Sequence, residues 1–301
     1  MTQLIMRPRP GKIKLGLKAS QAPAQLMDRL QYRPEVFEFF TSATDFEPEA
    51  FQTLKTAVQF VKTTVTEQIV IHHPMSYQGV HLDQLLDPHR EAAAYQFLQT
   101  STAQLLALAT ELDVKVLVHG GYGSDSGRLI DEYESLQVAR DVVFERLDNL
   151  VRQANGHVVI ENGVTASFMY GDPQLDERII QHHYPLVCDL SHVFIALHGD
   201  MELTMLALKR LAPLIQHYHL VDSMGTRHDS LPLGQGLIGW QRVLPVLNPH
   251  ATMIYEVPDE TDATCANMLS SYHYLRALEL RSIEGGQAND CKLSSPCRRA
   301  G

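Results

Sequence analysis

Short apolar runs that each end in a metal-binding type of side chain recur along this chain. Four of them end, in chain order, in Glu161, Asp189, His219 and Glu256, at intervals of 28, 30 and 37 residues. Each interval matches the length of one strand-plus-helix unit, so a parallel barrel would bring all four side chains to one rim. Two glutamates, one aspartate and one imidazole that meet there would form a metal site.

The rest of the chain extends the same alternation of strands and helices. Helices are predicted at residues 23–30, 47–65, 87–112, 127–154, 200–215 and 260–280, and strands at residues 13–18, 35–40, 68–73, 114–119, 157–161, 186–190, 217–222 and 252–257. Such alternation indicates a parallel sheet. Eight units, with no GxGxxG after the first strand, favour closure over an open doubly wound sheet. We therefore predict an α/β fold, a single (β/α)8 TIM barrel with parallel strands.

Length and composition fit one domain. The 301 residues are 45% hydrophobic, and a barrel of this kind typically needs ~250 residues. We assign residues 13–281 to the barrel and residues 1–12 to an N-terminal segment. Residues 282–301 are rich in small and polar side chains, which predicts a loose C-terminal tail.

Charge and cysteine content bear on the binding partners and the cellular compartment of the protein. The formal net charge of −10 argues weakly against a nucleic-acid partner. The four cysteines form no CxxC pair, and the sequence contains no apolar signal segment and no apolar run of membrane length. We expect a reduced, soluble, cytoplasmic protein that does not bind membranes.

Six of the eight predicted strands end in a good ligand for a divalent ion, and barrel chemistry belongs to these ends. They supply His72, His119, Glu161, Asp189, His219 and Glu256, with His192 three residues after Asp189. Imidazoles and carboxylates are the usual ligands of zinc and manganese, which predicts a metal centre. His217 is harder to place, because residues two apart on a strand share a face and it should point the same way as His219.

This series of candidate ligands at successive strand ends resembles that of the xylose-isomerase-like TIM barrels. That family includes endonuclease IV (AP endonuclease family 2) and the sugar and sugar-phosphate isomerases and epimerases. The glycine-rich segment 234–239 after the seventh strand adds to the resemblance, and residues 37–41 are similar to the second strand of endonuclease IV. The resemblance covers residues 13–280. It implies one of two reactions at the same rim.

The isomerase and epimerase branch implies one ion held by Glu161, Asp189, His219 and Glu256. The ion, manganese, zinc, magnesium or cobalt, would polarise a sugar carbonyl and the adjacent hydroxyl, with no organic cofactor. Glu161 and Glu256 would be the catalytic residues that move protons on opposite faces of an enediolate. His192, Arg227 and His228 would bind the substrate, a small sugar or sugar phosphate.

The endonuclease branch implies up to three zinc ions that hydrolyse a phosphodiester, with His72, His119 and His192 as further ligands. That family places an aspartate and a histidine six and four residues before the first glycine of its Gly-x-Gly turn. Here those positions hold His228 and Ser230, so one ligand is missing or displaced. The loop after the second strand, residues 42–47, is net negative where a DNA enzyme needs basic groups. We therefore rank a sugar-like substrate above DNA.

A barrel that binds a sugar-like ligand without turnover is a third alternative, because fold alone does not prove catalysis. The presence of both Glu161 and Glu256 argues against it, since a binding pocket has no need of two acid-base groups across a metal. Many barrels of this family are oligomers, so the resemblance allows a homo-oligomer.

Overall fold

The computed structural model describes residues 12–121 and 125–293. Eight parallel strands form one sheet in which each pairs with the next along the chain, as predicted. The barrel strands are β1 (Gly16–Ala19), β2 (Val36–Phe40), β3 (Ile69–His72), β4 (Lys115–His119), β5 (Val158–Glu161), β6 (Leu186–Asp189), β7 (Ile215–Leu220) and β8 (Thr252–Tyr255). A separate two-stranded hairpin, Ser76–Tyr77 with Val80–His81, follows β3.

Helices surround the sheet. They are α1 (Pro23–Leu30), α2 (Pro48–Thr64), α3 (Ala92–Leu112), α4 (Asp125–Ile130), α5 (Leu136–Ala154), α6 (Pro173–His182), α7 (Leu190–Ala196), α8 (Met201–Leu211), α9 (Trp240–Val243) and α10 (Ala266–Leu293). Short 3-10 turns occupy Ala43–Phe46, Leu244–Val246 and Pro258–Thr261. Among the described residues, no helix combines the length and the apolar character needed to cross a lipid bilayer.

The helices differ from the prediction in several places. The helix predicted at residues 127–154 is two helices, α4 and α5, because the Ser135 hydroxyl accepts from Val138 N and starts α5 afresh. Helices α6 and α7 were not predicted, although Asp172 caps α6 and Pro173 occupies its first position. Helix α10 continues to Leu293, so the change of composition at residue 282 does not mark its end.

The first and last strands meet at a tight seam. A Cβ atom on Gly16 would lie 1.7 Å from the carbonyl oxygen of Met253 in β8, so only glycine allows this approach. Two side chains tie the seam together: Tyr255 Oη donates to Lys14 O at 3.3 Å, and Lys14 Nζ donates to Ala251 O at 3.2 Å. The eight strands thus form a nearly closed barrel.

The barrel interior changes from apolar to polar along the strands. Four side chains form a small apolar cluster in the middle of the barrel: Val70, Leu117, Val159 and Val187. Because side chains two positions apart on a strand share a face, the next interior layer carries polar groups. The corresponding residues are His72, His119, Glu161 and Asp189. The apolar layer therefore forms the floor beneath the predicted metal ligands.

Candidate metal centre

The four side chains singled out first in the sequence converge at the carboxyl ends of β5 to β8. Candidate ligand atoms of Glu161, Asp189, His219 and Glu256 all lie within 4.8 Å of one another. His219 Nδ1 is 2.7 Å from Glu256 Oε2 and 3.1 Å from Glu161 Oε1. The Glu256 side chain is 15% exposed, whereas those of Glu161 and His219 are buried. The group is therefore reached from solvent on the Glu256 side. We call it the central group.

Several buried polar atoms of the central group have no hydrogen-bond partner of good geometry within the described residues. They are both carboxylate oxygens of Glu161, Asp189 Oδ2 and His219 Nδ1. Buried polar atoms are normally paired, since leaving one unpaired costs free energy. Carboxylate oxygens and an imidazole nitrogen that face one another at these distances fit the ligand shell of a divalent cation. Such a cation requires deprotonated ligands of this kind.

A second group flanks the central one on the β3 and β4 side. His72 Nε2 and His119 Nε2 lie 3.6 and 3.2 Å from Glu161 Oε2. The two rings are 5.0 Å apart, and their candidate ligand atoms form a cluster with Glu161. Glu161 therefore belongs to two neighbouring groups.

A third group lies on the other side and consists of Asp189, His192 and His228. Asp189 Oδ1 accepts from His192 N at 2.7 Å and caps α7, which leaves Oδ2 for the central group. His192 Nδ1 lies 2.8 Å from Asn162 O, and its ring is 4.9 Å from that of the exposed His228. Arg227 is exposed on the same loop and belongs to none of the three groups.

Beneath the central group lies a layer that sequence analysis did not identify. Lys18 Nζ is 3.2 Å from Glu38 Oε1 and 2.5 Å from Glu256 Oε1, while Glu38 Oε2 lies 3.0 Å from Nε2 of both His217 and His219. The alternation of side chains along a strand could have revealed this layer. Lys18 and Glu38 are single charged residues in otherwise apolar strands, at positions whose side chains point into the barrel.

The charges of the central group depend on one another. Burial opposes protonation of His219, but the carboxylates of Glu161, Glu256 and Glu38 outweigh it and raise the pKa of the ring well above its usual value. Burial alone would raise the pKa of Glu161, yet attraction to His219 and His119 holds it well below the usual range. Burial lowers the pKa of His119 to about 3, so that ring is neutral and able to bind a metal.

A buried carboxylate shapes the loop that carries Arg227 and His228. Asp222 accepts from Gly234 N at 2.8 Å, Ile238 N at 3.1 Å and Trp240 Nε1 at 2.9 Å. A Cβ on Gly236 would lie 2.3 Å from Asp222 Oδ1, which explains a glycine there. The glycine-rich segment thus wraps around one carboxylate and fixes the loop beside the rim.

Several solved structures share the barrel fold of this chain. A D-tagatose 3-epimerase-like protein superposes with a TM-score of 0.65 at 16% identity, covering 91% of this chain and 99% of that one. An L-ribulose 3-epimerase gives 0.63 at 16% identity, with 95% and 100% covered. The TTHB071 protein from Thermus thermophilus, soaked with ZnCl2, gives 0.59 at 19% identity, with 88% and 97% covered.

No curated protein matches the sequence. A family model described as xylose isomerase-like TIM barrel matches residues 35–277, which is most of the barrel from β2 into α10. The matched stretch contains the three groups of the rim. The chain therefore belongs to the xylose isomerase-like TIM-barrel family.

Proposed function

We propose that this protein is a divalent-metal-dependent isomerase or epimerase that acts on a small sugar or sugar phosphate through an enediolate. The observation that carries this proposal is the placement of two glutamates on one imidazole. Glu161 and Glu256 approach His219 Nδ1 at 3.1 and 2.7 Å. Two carboxylates on either side of one cation position are what proton transfer on two faces of a carbonyl-bearing substrate requires.

In this proposal the central group holds the cation, manganese, zinc, magnesium or cobalt. When bound, the cation supplies Lewis-acid chemistry that polarises a carbonyl and its neighbouring hydroxyl. The pKa values of Glu161 and Glu256 lie well below their usual range, because His219 outweighs the effect of burial. Both carboxylates are therefore ionised in the metal-free protein. Epimerisation would need one of them to take the proton from the carbon next to the carbonyl, and the other, protonated by solvent, to deliver a proton on the opposite face.

The third group would orient the substrate. His192 Nδ1 faces a backbone carbonyl at Asn162, which leaves Nε2 for a sugar hydroxyl. Arg227 and His228 lie at the exposed edge of the loop, where they would meet the far end of a sugar or its phosphate. Three structural neighbours, a D-tagatose 3-epimerase-like protein and epimerases of L-ribulose and D-psicose, support a ketose substrate.

Phosphoester hydrolysis with several zinc ions is the second candidate. The observation that favours it is the row of three groups, because Glu161 joins the second group to the central group and Asp189 joins the central group to the third. A single ion has no need of His72 and His119. The loop after β2 argues against DNA as the substrate. Its Asp45 carboxylate accepts hydrogen bonds from Ser42 and from Gln21. The loop is therefore acidic where binding to phosphates needs basic groups.

Metal content and carbon-bound deuterium uptake together test these candidates. Protein purified without chelators is analysed for metal, and then incubated with D-tagatose, D-psicose and L-ribulose in D2O and followed by NMR. One ion per chain with deuterium gain next to the ketose carbonyl is expected. Two or more zinc ions with hydrolysis of bis(4-nitrophenyl) phosphate and no exchange would move the second candidate to first place. No metal uptake even in excess would sink both, and leave a binding barrel.

A further inference from the structure

The two barrel strands whose ends carry no candidate ligand supply a buried ion pair instead. Lys18 on β1 and Glu38 on β2 are partners in the strand register, and both side chains are fully buried. Removing two charges from water costs free energy that their attraction often fails to repay. A contribution to β1–β2 pairing alone therefore does not account for this pair.

Each member of the pair contacts one residue of the central group, and it does so on the far side. Lys18 Nζ contacts Glu256 Oε1 at 2.5 Å, and Glu38 Oε2 contacts His219 Nε2 at 3.0 Å. The remaining atoms, Glu256 Oε2 and His219 Nδ1, face each other across 2.7 Å inside the group. The ion pair thus decides which atom of each residue points inward.

Glu38 is itself held in one orientation. Its Oε2 also accepts from His217 Nε2 at 3.0 Å, and His217 Nδ1 lies 2.6 Å from Thr252 Oγ1. With Nε2 as the donor, Nδ1 of His217 accepts from the threonine hydroxyl. The other oxygen of Glu38 faces the Lys18 ammonium. The Glu38 carboxylate therefore cannot turn without breaking at least one of these contacts.

We propose that Glu38 and Lys18 are positioning residues of the central group: Glu38 fixes the His219 ring so that Nδ1 is the ligand atom, and Lys18 fixes Glu256 so that Oε2 is. The inference rests on the proposed metal dependence. In this role neither residue would contact the cation or the substrate. Carboxylates on the far nitrogen of a ligand imidazole typically change metal affinity about 10- to 100-fold.

Co2+ binding to full-length Glu38→Gln measures this effect directly. Glutamine keeps the shape of the side chain but is neutral, and it offers one acceptor oxygen in place of the carboxylate pair. In competition with a chromophoric chelator, we expect Co2+ to bind about 10- to 100-fold more weakly than in the wild type. Asp176→Asn, the same change at a buried carboxylate on α6 outside the three groups, is the matched control and should bind within twofold of wild type.

The double variant Lys18→Met/Glu38→Gln covers the case in which the single variant, which removes only one charge of the buried pair, fails to fold. It removes both charges together, which buried pairs often tolerate. We expect weaker Co2+ binding and an altered visible Co2+ spectrum, with a metal-free melting temperature near that of the wild type. Unchanged affinity and spectrum in both variants would overturn the inference. Wild-type protein that binds Co2+ without sugar turnover would contradict only the proposed function. Wild-type protein that binds no Co2+ would contradict both the proposed function and the positioning role of Glu38 and Lys18.

Discussion

His217 and His219 share one acceptor, because Nε2 of each ring lies 3.0 Å from Oε2 of Glu38. The two histidines are two positions apart on β7, so their side chains share the interior face of the barrel at successive heights. Burial lowers the pKa of His217. Burial also opposes protonation of His219, but the carboxylates around that ring outweigh it and raise its pKa. His217 therefore belongs to the layer beneath the central group, and His219 belongs to the central group itself.

Glu161→Gln should separate metal binding from proton transfer. Glutamine keeps one oxygen for the cation but cannot act as a base, and general acid-base catalysis typically contributes about 10²- to 10⁴-fold. We expect turnover and deuterium exchange of the ketose to fall by at least about 100-fold, while the variant still binds Co2+. The measurement is NMR exchange in D2O beside a Co2+ titration.

Glu177→Gln is the control for that experiment, since Glu177 is an exposed side chain on α6 that pairs with Arg210 away from the rim. It should leave exchange unchanged. Full exchange in Glu161→Gln would show that the mechanism proposed here is wrong.

Metal binding should stabilise the fold through the central group. A ligand that binds only the folded state at 100 times its dissociation constant adds about 2.7 kcal/mol to the free energy of unfolding. We expect chelator treatment to lower the melting temperature and Mn2+ or Co2+ to restore it, as followed by circular dichroism.

Asp189→Asn provides the matched test of that stabilisation. The amide oxygen can still accept from His192 N and cap α7, but an NH2 group replaces Oδ2, which is the oxygen without a hydrogen-bond partner within the described residues. The metal-dependent rise in melting temperature should be lost while the metal-free melting temperature stays close to that of the wild type. An undiminished rise in this variant would place the cation elsewhere.

The barrel and its rim could be predicted from sequence because two simple periodicities fix them. Strand-helix alternation sets the fold, and strand ends set the rim, so Glu161, Asp189 and His219 could be expected to meet. The contacts of the Lys18–Glu38 ion pair with the central group could not be predicted in this way. Lys18 and Glu256 are 238 residues apart and touch only because the seam at Gly16 closes β1 against β8.

The first strand begins later in the structure than predicted, for a related reason. The predicted first strand begins at residue 13, and Ile13 is indeed buried. The ladder with β2, however, begins only where Gly16 pairs with Val36. Burial follows the side-chain pattern, whereas a strand begins where a neighbouring backbone is available for hydrogen bonds.

Asp222→Asn should loosen the loop that carries Arg227 and His228. Asp222 Oδ2 accepts from both Gly234 N and Trp240 Nε1, and an NH2 group in its place would leave these two donors unpaired. Unpaired buried donors cost about 1 to 3 kcal/mol each. We expect a lower melting temperature, a higher KM for substrate, and faster acrylamide quenching of the single tryptophan of the chain.

Asp229→Asn is the control on the same loop. Asp229 accepts from Met224 N at 3.3 Å, at a position that is only half-buried. Its replacement should leave tryptophan quenching as in the wild type. Equal effects of the two changes would mean that the loop is not organised by Asp222.

Asp176→Asn should stabilise the protein in a pH-dependent way, independently of any metal. Burial raises the pKa of Asp176 to about 6, from a value of 3.8 in the unfolded chain. Between these two pH values the unfolded state loses its proton first, so ionisation disfavours the folded state increasingly as pH rises, and the cost levels off above about pH 6. The asparagine oxygen can still accept from Gly171 N, which Asp176 contacts at 2.9 Å. The variant should therefore match the wild type near pH 4 and exceed it by up to about 3 kcal/mol at pH 7. Urea unfolding of both proteins across this range gives the difference directly, and a gap that is constant with pH would show that the carboxylate titrates normally.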